Sequence, residues 1–356
     1  MKVLITGVCG FVGSTLAIEL ANTLPQLELV GIDNLSRPGS ERNRQAIKGH
    51  GVRLYHGDIR SQSDLDPLPT VDWVIDAAAN PSVLAGISGP TSSRQLVEHN
   101  LTGTINLLEF CKAAGCGLIM LSTSRVYSLS HLAAIEVEVK NHAFVPTINS
   151  RSPRGVTAKG ITEDFPTESP LSLYGASKLA SEILALEYGI AFGLPVFVNR
   201  CGVLAGAGQF GKTDQGILSF WIHSYCQRRP LKYIGFGGTG HQVRDYLHPR
   251  DLVPLLVKQM NCSTTHPPWI GNVAGGLKNS FSLSQLNQWC EHRFGRHPVY
   301  REPHDRPYDA PWIVLDTTRA QNVWQWSATT PLEAIVDEIA THAEKNPQWL
   351  DWSGDS

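Results

Sequence analysis

Residues 3–13 read Val3-Leu-Ile-Thr6-Gly7-Val-Cys-Gly10-Phe-Val-Gly13, a short apolar run followed at once by three regularly spaced glycines. The apolar run predicts a β-strand, and residues 14–24 predict a helix. Glycines between a strand and a helix let the backbone turn tightly and let a ligand approach it closely. The stretch therefore predicts a strand, a glycine turn and a helix, the opening unit of an α/β fold.

A second predicted strand, residues 27–32, ends in Asp33, about 20 residues after the last glycine. In dinucleotide-binding folds the pyrophosphate lies on the helix N-terminus, and an acid at this position accepts from the ribose hydroxyls. Such an acid repels a 2′-phosphate, which favours NAD over NADP, although Arg37 lies nearby. The glycine spacing is G-x-x-G-x-x-G rather than G-x-G-x-x-G, and a glycine triplet alone also fits a structural turn.

Further strands are predicted at residues 52–56, 71–75, 117–121 and 194–200, with long helices at 95–114 and 174–192. This alternation predicts an α/β fold with a doubly wound parallel (Rossmann) sheet over residues 1–200. After residue 200 the regular alternation of strands and helices ends. Residues 201–356 are predicted to form a smaller α/β substrate lobe that closes a cleft, interleaved with segments that return to the first domain.

Residues 128–169 have no clear periodicity and carry several prolines and glycines. A loop of this length is uncommon in a compact domain unless it serves as a lid or binding loop. We therefore expect a long functional loop here.

Composition excludes several classes of protein. The net charge is −2, from 30 basic and 32 acidic residues without a basic block, which argues against nucleic-acid and membrane-surface binding. The seven cysteines are scattered without a C-x-x-C, and the 13 histidines lack metal-binding spacing, so we expect no disulfide frame and no metal. Without a bilayer-length apolar run or a signal-like start, a soluble cytoplasmic protein is expected.

Tyr174 and Lys178 lie four residues apart at the start of a predicted helix, so their side chains share a face. A tyrosine hydroxyl titrates near ~10 in water and is a poor base at neutral pH, but a neighbouring ammonium favours the phenolate. The pair is suited to exchange a proton with a substrate hydroxyl. Alone, this spacing usually marks a solvated helix face. Whether the pair is functional therefore depends on motifs elsewhere in the chain.

Three motifs stand in order: Gly7-x-x-Gly10-x-x-Gly13, Thr123 at a strand end, and Tyr174-x-x-x-Lys178. With Val-Arg244-Asp-Tyr-Leu-His248-x-x-Asp251 they resemble the extended short-chain dehydrogenase/reductase family of nucleotide-sugar enzymes over nearly the whole chain. The resemblance implies that Thr123 holds the sugar, Tyr174 acts as the base and Lys178 orients the nicotinamide ribose of NAD.

The resemblance also implies two sets of binding residues. The cofactor set is Gly7, Gly10, Phe11, Val12, Gly13, Asp33, Asn34, Asp58, Ile59, Ala77, Ala78, Ala79, Asn100, Ser122, Tyr174 and Lys178. The substrate set is Thr123, Ser124, Gln209, Gln215, Tyr233, Arg244, Arg301 and Arg306. Arg244 matches an arginine that pairs with the nucleotide diphosphate, and either Arg301 or Arg306 is implied as a second contact.

The residues around Thr123 bear on the reaction. The dehydratase branch of the family carries an Asp-Glu pair after the hydroxyl, whereas this chain has Ser124-Arg125, which argues for an epimerase. Segments 33–37, 57–60, 209–210, 213–216 and 240–245 resemble the CDP-paratose 2-epimerase branch.

Several alternatives stay open: a UDP-hexose 4-epimerase, a nucleotide-sugar dehydrogenase or reductase, and a non-catalytic NAD- or RNA-binding regulator. The resemblance also implies a homodimer or homotetramer, paired through helices 95–114 and 174–192.

Overall fold

The computed structural model describes residues 1–87, 91–262, 267–302, 304 and 306–352. Contacts divide the chain into two compact units. The first comprises Met1–Thr123, Leu173–Arg200 and Pro249–Gly271, and the second comprises Ser124–Ser172, Cys201–His248 and Asn272–Ser356. Residues 124–172 thus group with the second unit and residues 249–271 with the first, while the domain bounds 1–200 and 201–356 stay a prediction.

A seven-stranded sheet organises the first unit. Its strands along the chain are Lys2–Thr6, Glu28–Asp33, Arg53–His56, Trp73–Asp76, Gly117–Thr123, Val196–Cys201 and Trp269–Val273. Across the sheet they run third, second, first, fourth, fifth, sixth, seventh. The first strand pairs in parallel with both the second and the fourth, so the chain order reverses there. In such sheets ligands bind beyond the carboxyl ends of the strands at this reversal. The predicted doubly wound parallel sheet is confirmed.

Helices flank this sheet. They are Phe11–Thr23, Asn43–Gly49, Gln62–Leu65, Ser93–Val97, the π-helix Glu98–Thr102, Gly103–Ala114, Leu173–Phe192 and Leu252–Met260, with 3-10 turns at Ser40–Arg42 and Pro249–Asp251. Leu4, Val30, Leu107, Leu118 and Val198 belong to the buried cluster between sheet and helices. Within the described ranges, no helix combines the length and apolar character needed to cross a membrane.

Two predictions for this unit need correction. The helix predicted over 95–114 contains a π-helical turn, Glu98–Thr102, around the buried Asn100. The sequence also predicts only six strands, whereas Trp269–Val273 forms a seventh. This strand contains Gly271 and Asn272, so no continuous apolar run marks it.

The second unit is built of shorter elements. Its helices are Leu129–Ala133, Ile217–Cys226, Leu283–Phe294, Thr318–Trp324, Leu332–Lys345 and Trp349–Trp352, with 3-10 turns at Ser124–Val126, Phe236–Gly238 and Leu277–Asn279. Its strands are Val137–Lys140, Ala143–Pro146, Val156–Thr157, Gly160–Ile161, Val203–Leu204, Leu231–Ile234, Val243–Leu247, Ser280–Ser282, Val299–Glu302 and Trp312–Ile313. Trp221, Ile222, Ile335 and Ile339 lie in the buried core between two of these helices.

The expected long loop at 128–169 is the third correction, because it contains regular structure. Val137–Lys140 and Ala143–Pro146 pair as an antiparallel hairpin. Its two-residue turn, Asn141-His142, has both residues at positive φ (47° and 62°), as a type I′ turn requires. A second small hairpin joins Val156–Thr157 to Gly160–Ile161. The strands are too short to give a clear periodic pattern in the sequence.

Candidate active site

The glycine turn after the first strand is very closely packed. Gly7 has a φ of +60°, and a Cβ on it would lie 2.9 Å from the Cα of Ala78. A Cβ on Gly13 would lie 2.2 Å from the carbonyl oxygen of Gly7. Gly10 begins the helix Phe11–Thr23 without a side-chain cap, so no side chain covers the first N–H groups of the helix. An uncapped helix start behind a tight turn is suited to bind a phosphate anion.

Thr6 holds the facing segment in place. Its buried hydroxyl donates to Asp76 Oδ1 at 2.7 Å and accepts from the N–H groups of Ala77 and Ala78, both at 3.1 Å. Ala77, Ala78 and Ala79 follow the fourth strand, and the main chain of Ala77 and Ala78 packs directly against Gly7. The glycine turn and residues 77–79 are therefore held in a fixed arrangement relative to each other.

Asp33 lies at the end of the second strand. Its Oδ2 accepts from the N–H of Cys9 at 2.8 Å and its Oδ1 from the N–H of Leu35 at 2.7 Å. Each carboxylate oxygen keeps a further acceptor position, as a pair of ribose hydroxyls requires. Burial, together with the charge of Asp33, raises the pKa of the Cys9 thiol to about 12, so this cysteine is an inert packing residue.

Asn34 and Asp58 are in contact. Asn34 Nδ2 donates to Asp58 Oδ2 at 2.8 Å, and Arg60 donates to both carboxylate oxygens at 3.0 and 2.7 Å. Burial alone would raise the pKa of the Asp58 carboxyl, but hydrogen bonds from Arg60 and Asn34 outweigh it and hold the pKa well below its usual range. Ile59 beside it packs into the core of the unit.

The buried Asn100 links three segments. Its Oδ1 accepts from the N–H of Asn80 at 2.9 Å, and its Nδ2 donates to Ser177 Oγ at 3.2 Å. Its main-chain carbonyl accepts from the hydroxyls of Thr104 and Ser181. The π-helical turn thus ties the end of the fourth strand to the helix that carries Tyr174.

Tyr174 and Lys178 both lie on the buried face of the helix Leu173–Phe192. Tyr174 packs with Val83, Ala85 and Leu96. The Lys178 side chain is 2% exposed, and within the part of the chain that the structure describes its ammonium has no hydrogen-bond or ion-pair partner. Burying an unpaired charge is costly, so this ammonium points to a ligand that supplies acceptors.

A buried ion pair lies on the same helix. Glu182 accepts from Ser122 Oγ at 2.5 Å, and Arg200 Nη2 donates to its Oε2 at 2.7 Å. Ser122 precedes Thr123 at the end of the fifth strand, and Arg200 lies on the neighbouring sixth strand. The hydroxyl of Ser122 is therefore used within the protein, and its contact with a cofactor stays a prediction.

In the second unit, Arg244 is held by Asp309, an acid that was not predicted from the sequence. Its Nη2 donates to Asp309 Oδ1 at 2.6 Å and to the carbonyl oxygen of Ala310 at 2.8 Å. Arg306 lies near this pair, because a Cβ on Gly235 would be 3.5 Å from the N atom of Arg306 and 3.9 Å from Asp309 Oδ2. Arg301 lies on the strand Val299–Glu302, opposite Tyr233 in register.

The remaining predicted substrate residues serve structural contacts in this unit. Gln209 Nε2 donates to the carbonyl oxygen of Leu204 at 2.9 Å, and the Gln215 N–H pairs with the carbonyl oxygen of Lys212. Tyr233 stacks on Trp221, and burial raises the pKa of its hydroxyl well above the usual range. Ser124 is buried in a 3-10 turn. Their contacts with substrate stay predictions.

Thr6, Glu182 and Arg200 are further site residues that were not predicted from the sequence. A polar residue at the end of an apolar strand marks Thr6, and an acid four residues after Lys178 on an apolar face marks Glu182. No local signal marks Arg200 or Asp309, because their partners lie far away in the sequence.

Solved structures with this fold are known. The UDP-glucose 4-epimerase from Bifidobacterium longum, in complex with NAD⁺ and UDP, superposes with a TM-score of 0.79 at 22% identity, over 98% of this chain and 100% of that one. The UDP-glucuronic acid 4-epimerase from Bacillus cereus, in complex with UDP-glucuronic acid and NAD, gives 0.77 at 23% identity, over 97% and 99%. These matches establish the fold.

Sequence relatives are closer. The CDP-paratose 2-epimerase of Salmonella typhi is 32% identical over 92% of this chain and 94% of its own length. The UDP-glucuronate 4-epimerase of Thermodesulfobacterium geofontis is 26% identical over 96% of both chains. The family model of the NAD dependent epimerase/dehydratases matches residues 3–268. The chain belongs to the NAD dependent epimerase/dehydratase family.

Proposed function

We propose that the protein is a nucleotide-sugar epimerase that keeps one NAD bound and oxidises and re-reduces a single sugar carbon. The observation that carries the proposal is the buried Tyr174-x-x-x-Lys178 pair on the helix beside the strand that ends in Thr123. A base, a cation and a hydroxyl in one unit are the groups that transfer of a sugar proton requires.

The first unit fits NAD. The uncapped helix start at Gly10 is suited to the pyrophosphate, and the Asp33 carboxylate to the ribose hydroxyls. The unpaired Lys178 ammonium is suited to the hydroxyls of the nicotinamide ribose. When bound, NAD supplies a hydride acceptor that can return the hydride.

Tyr174, as phenolate, takes the proton from the reacting hydroxyl, while Thr123 donates a hydrogen bond to the same oxygen. Lys178 favours the phenolate through its charge. After the sugar turns, Tyr174 returns the proton to the oxygen on re-reduction. Because Tyr174 takes and returns one proton, its side chain is regenerated in each turnover. A bound NAD that gives back its hydride would leave no net redox change.

For the substrate we propose a CDP-linked 3,6-dideoxyhexose inverted at carbon 2. The 32% identity to the CDP-paratose 2-epimerase supports this over the 24–27% found for UDP-sugar enzymes such as the UDP-glucose 4-epimerase of Yersinia pestis. We propose Arg244 and Arg306 as the diphosphate contacts, since Arg244 is oriented by Asp309 and both Arg306 and Asp309 lie close to Gly235. The second candidate is a UDP-hexose 4-epimerase, the activity that several relatives carry in their names.

We also propose that the protein assembles as a homodimer or homotetramer through the helices Gly103–Ala114 and Leu173–Phe192. Ile105, Ile183, Ile190 and Phe192 are exposed on these helices, Ile190 to 67%. Exposed large apolar side chains on these two helices favour association. Replacing Ile190 with Glu should shift the sedimentation coefficient to that of a smaller species.

The experiment that tests the proposed chemistry is Tyr174→Phe, with Tyr188→Phe as the matched control on the same helix. Tyr188 is on the outer face, where its hydroxyl donates to Glu109. Loss of a general base typically costs 10²–10⁴-fold in rate, roughly 3–5 kcal/mol. We expect that loss for Tyr174→Phe with NAD still bound, and near-normal turnover for Tyr188→Phe. Near-normal turnover of both variants would refute the proposed function.

A further inference from the structure

Glu182 is a buried carboxylate beside the proposed base. It lies four residues after Lys178 and eight after Tyr174, so the three side chains share one helix face, and all three are buried. A lone carboxylate here would attract the ammonium of Lys178. It would also oppose the field that favours the phenolate.

Arg200 compensates this carboxylate. Its Nε donates to both oxygens of Glu182 at 3.1 Å, and its Nη2 donates to Oε2 at 2.7 Å. The fork of hydrogen bonds fixes the carboxylate toward the sixth strand. The pair is therefore close to neutral as a whole, and Lys178 remains the net charge on this face.

Ser122 couples the ion pair to the strand that carries Thr123. Its hydroxyl donates to Glu182 Oε1 at 2.5 Å, on the opposite oxygen from the Arg200 Nη2 bond. Ser122 is the direct chain neighbour of Thr123, so the bond that holds Ser122 also restrains the main chain of Thr123 at the end of the strand. The helix with the base and the strand with the hydroxyl are thus joined at one carboxylate.

We propose that Glu182 and Arg200 are positioning residues, which align Thr123 with Tyr174 through Ser122 and leave Lys178 as the uncompensated charge beside the base. The inference rests on the proposed function and adds to it two residues that do not touch substrate.

Other charged groups on the elements packed against this helix cannot take the place of Glu182 and Arg200. Arg94 pairs with Glu98, and Lys112 with Glu109. Burial lowers the pKa of the His99 imidazole, which keeps it neutral at pH 7. Apart from Lys178 itself, Glu182 and Arg200 are therefore the charged groups among the described residues that are best placed to act on Tyr174.

The test compares Glu182→Gln, Arg200→Gln and the double variant by the pH dependence of kcat/KM. Glu182→Gln leaves a positive charge, favours the phenolate and should move the acid limb to lower pH. Arg200→Gln leaves a negative charge and should move it to higher pH. The shift expected is roughly one pH unit, for one charge about 12 Å away at an effective dielectric constant of about 20. The double variant should lie near the wild type.

Alignment is tested separately with Ser122→Ala, which leaves both charges in place. We expect kcat to fall about 10- to 100-fold through misplacement, with an unshifted pH profile and an unchanged KM. The matched control is Gln259→Ala, which breaks the buried amide pair with Asn199 next to Arg200. It should lower the melting temperature and leave kcat and the pH profile unchanged.

The proposal is overturned if the two charge variants shift the acid limb in the same direction or not at all, or if Ser122→Ala keeps the wild-type kcat. Failure of the proposed function looks different. In that case the wild-type chain itself inverts no nucleotide sugar, which removes the basis of both proposals.

Discussion

The indole Nε1 of Trp349 donates a hydrogen bond to the main-chain carbonyl oxygen of Gln209 at 2.9 Å, although 140 residues separate them. The same carbonyl accepts from Ser219 Oγ at 2.7 Å, and the Trp349 ring stacks on Phe210 at 5.0 Å. The helix Trp349–Trp352 therefore anchors the segment that begins at Gln209, a predicted substrate residue.

Substitutions at Trp349 should separate its two contributions. Trp349→Phe loses one hydrogen bond, so we expect a loss of about 1 kcal/mol in unfolding free energy. Trp349→Ala also loses a buried aromatic ring and should cost about 3–5 kcal/mol. Urea denaturation measures both, with the exposed Tyr300→Phe as the control. Equal stability of Trp349→Ala and the wild type would contradict the anchoring role.

Arg244→Lys tests the forked contact proposed for the diphosphate. Lysine keeps the charge but cannot form two parallel hydrogen bonds, so KM should rise about 10- to 100-fold while kcat changes little. The control is Arg229→Lys, because Arg229 forms a more exposed pair with Asp351 in the same unit. An unchanged KM in Arg244→Lys would exclude this residue as a diphosphate contact.

Gly13→Ala tests the close packing of the glycine turn. The new Cβ would lie 2.2 Å from the carbonyl oxygen of Gly7, so the turn must open and NAD should be lost. Gly49→Ala is the matched control, because a Cβ there meets nothing within 4 Å, and it should stabilise the protein by about 0.4–1 kcal/mol. The ratio of NAD to protein after purification measures the effect. Full NAD content in Gly13→Ala would contradict the predicted role.

A buried histidine pair should make stability depend on pH. His223 Nδ1 donates to the carbonyl oxygen of Ser219 at 2.8 Å, so its Nε2 accepts from His342 Nδ1 at 3.1 Å and both rings are neutral. Burial lowers the pKa of His223 to about 4. An unfolded histidine titrates near ~6.5, so stability should be complete above about pH 6.5 and fall as the pH drops toward 4.

The loss expected over this range is up to about 3 kcal/mol. Melting temperatures between pH 7.5 and 4.5 measure it, and His223→Gln should flatten the curve while the exposed His50→Gln leaves it unchanged. A curve that is equally steep in His223→Gln would assign the acid sensitivity to other groups.

Local features of the fold and cofactor site were predictable from the sequence. The strand before Gly7, the helix after it and Asp33 lie within about 30 residues of one another, so pattern and spacing are enough to relate them. The i, i+4 spacing likewise places Tyr174 and Lys178 on one buried face. The alternation of strands and helices in the sequence likewise predicted the doubly wound sheet.

The partners of these residues were not predictable, because long-range contacts determine them. Ser122 and Glu182 are 60 residues apart, and Arg244 and Asp309 are 65 apart. The hairpin at Asn141-His142 was not predicted, because its strands have four residues each and show too short a pattern in the sequence. In the π-helical turn, the carbonyl oxygen of Asn100 accepts from Ser181, which lies 81 residues away in the sequence.

The central claim is best tested by incubating the protein with CDP-, UDP-, GDP- and dTDP-linked sugars in deuterated buffer and analysing the products by NMR. The account predicts inversion at one carbon of a CDP-linked sugar, no deuterium at that carbon and no net change in absorbance near ~340 nm, the nicotinamide band. Inversion of a UDP-hexose at carbon 4 would correct the substrate and keep the reaction. Stoichiometric accumulation of NADH with an oxidised sugar, or deuterium at the inverted carbon, would contradict the account.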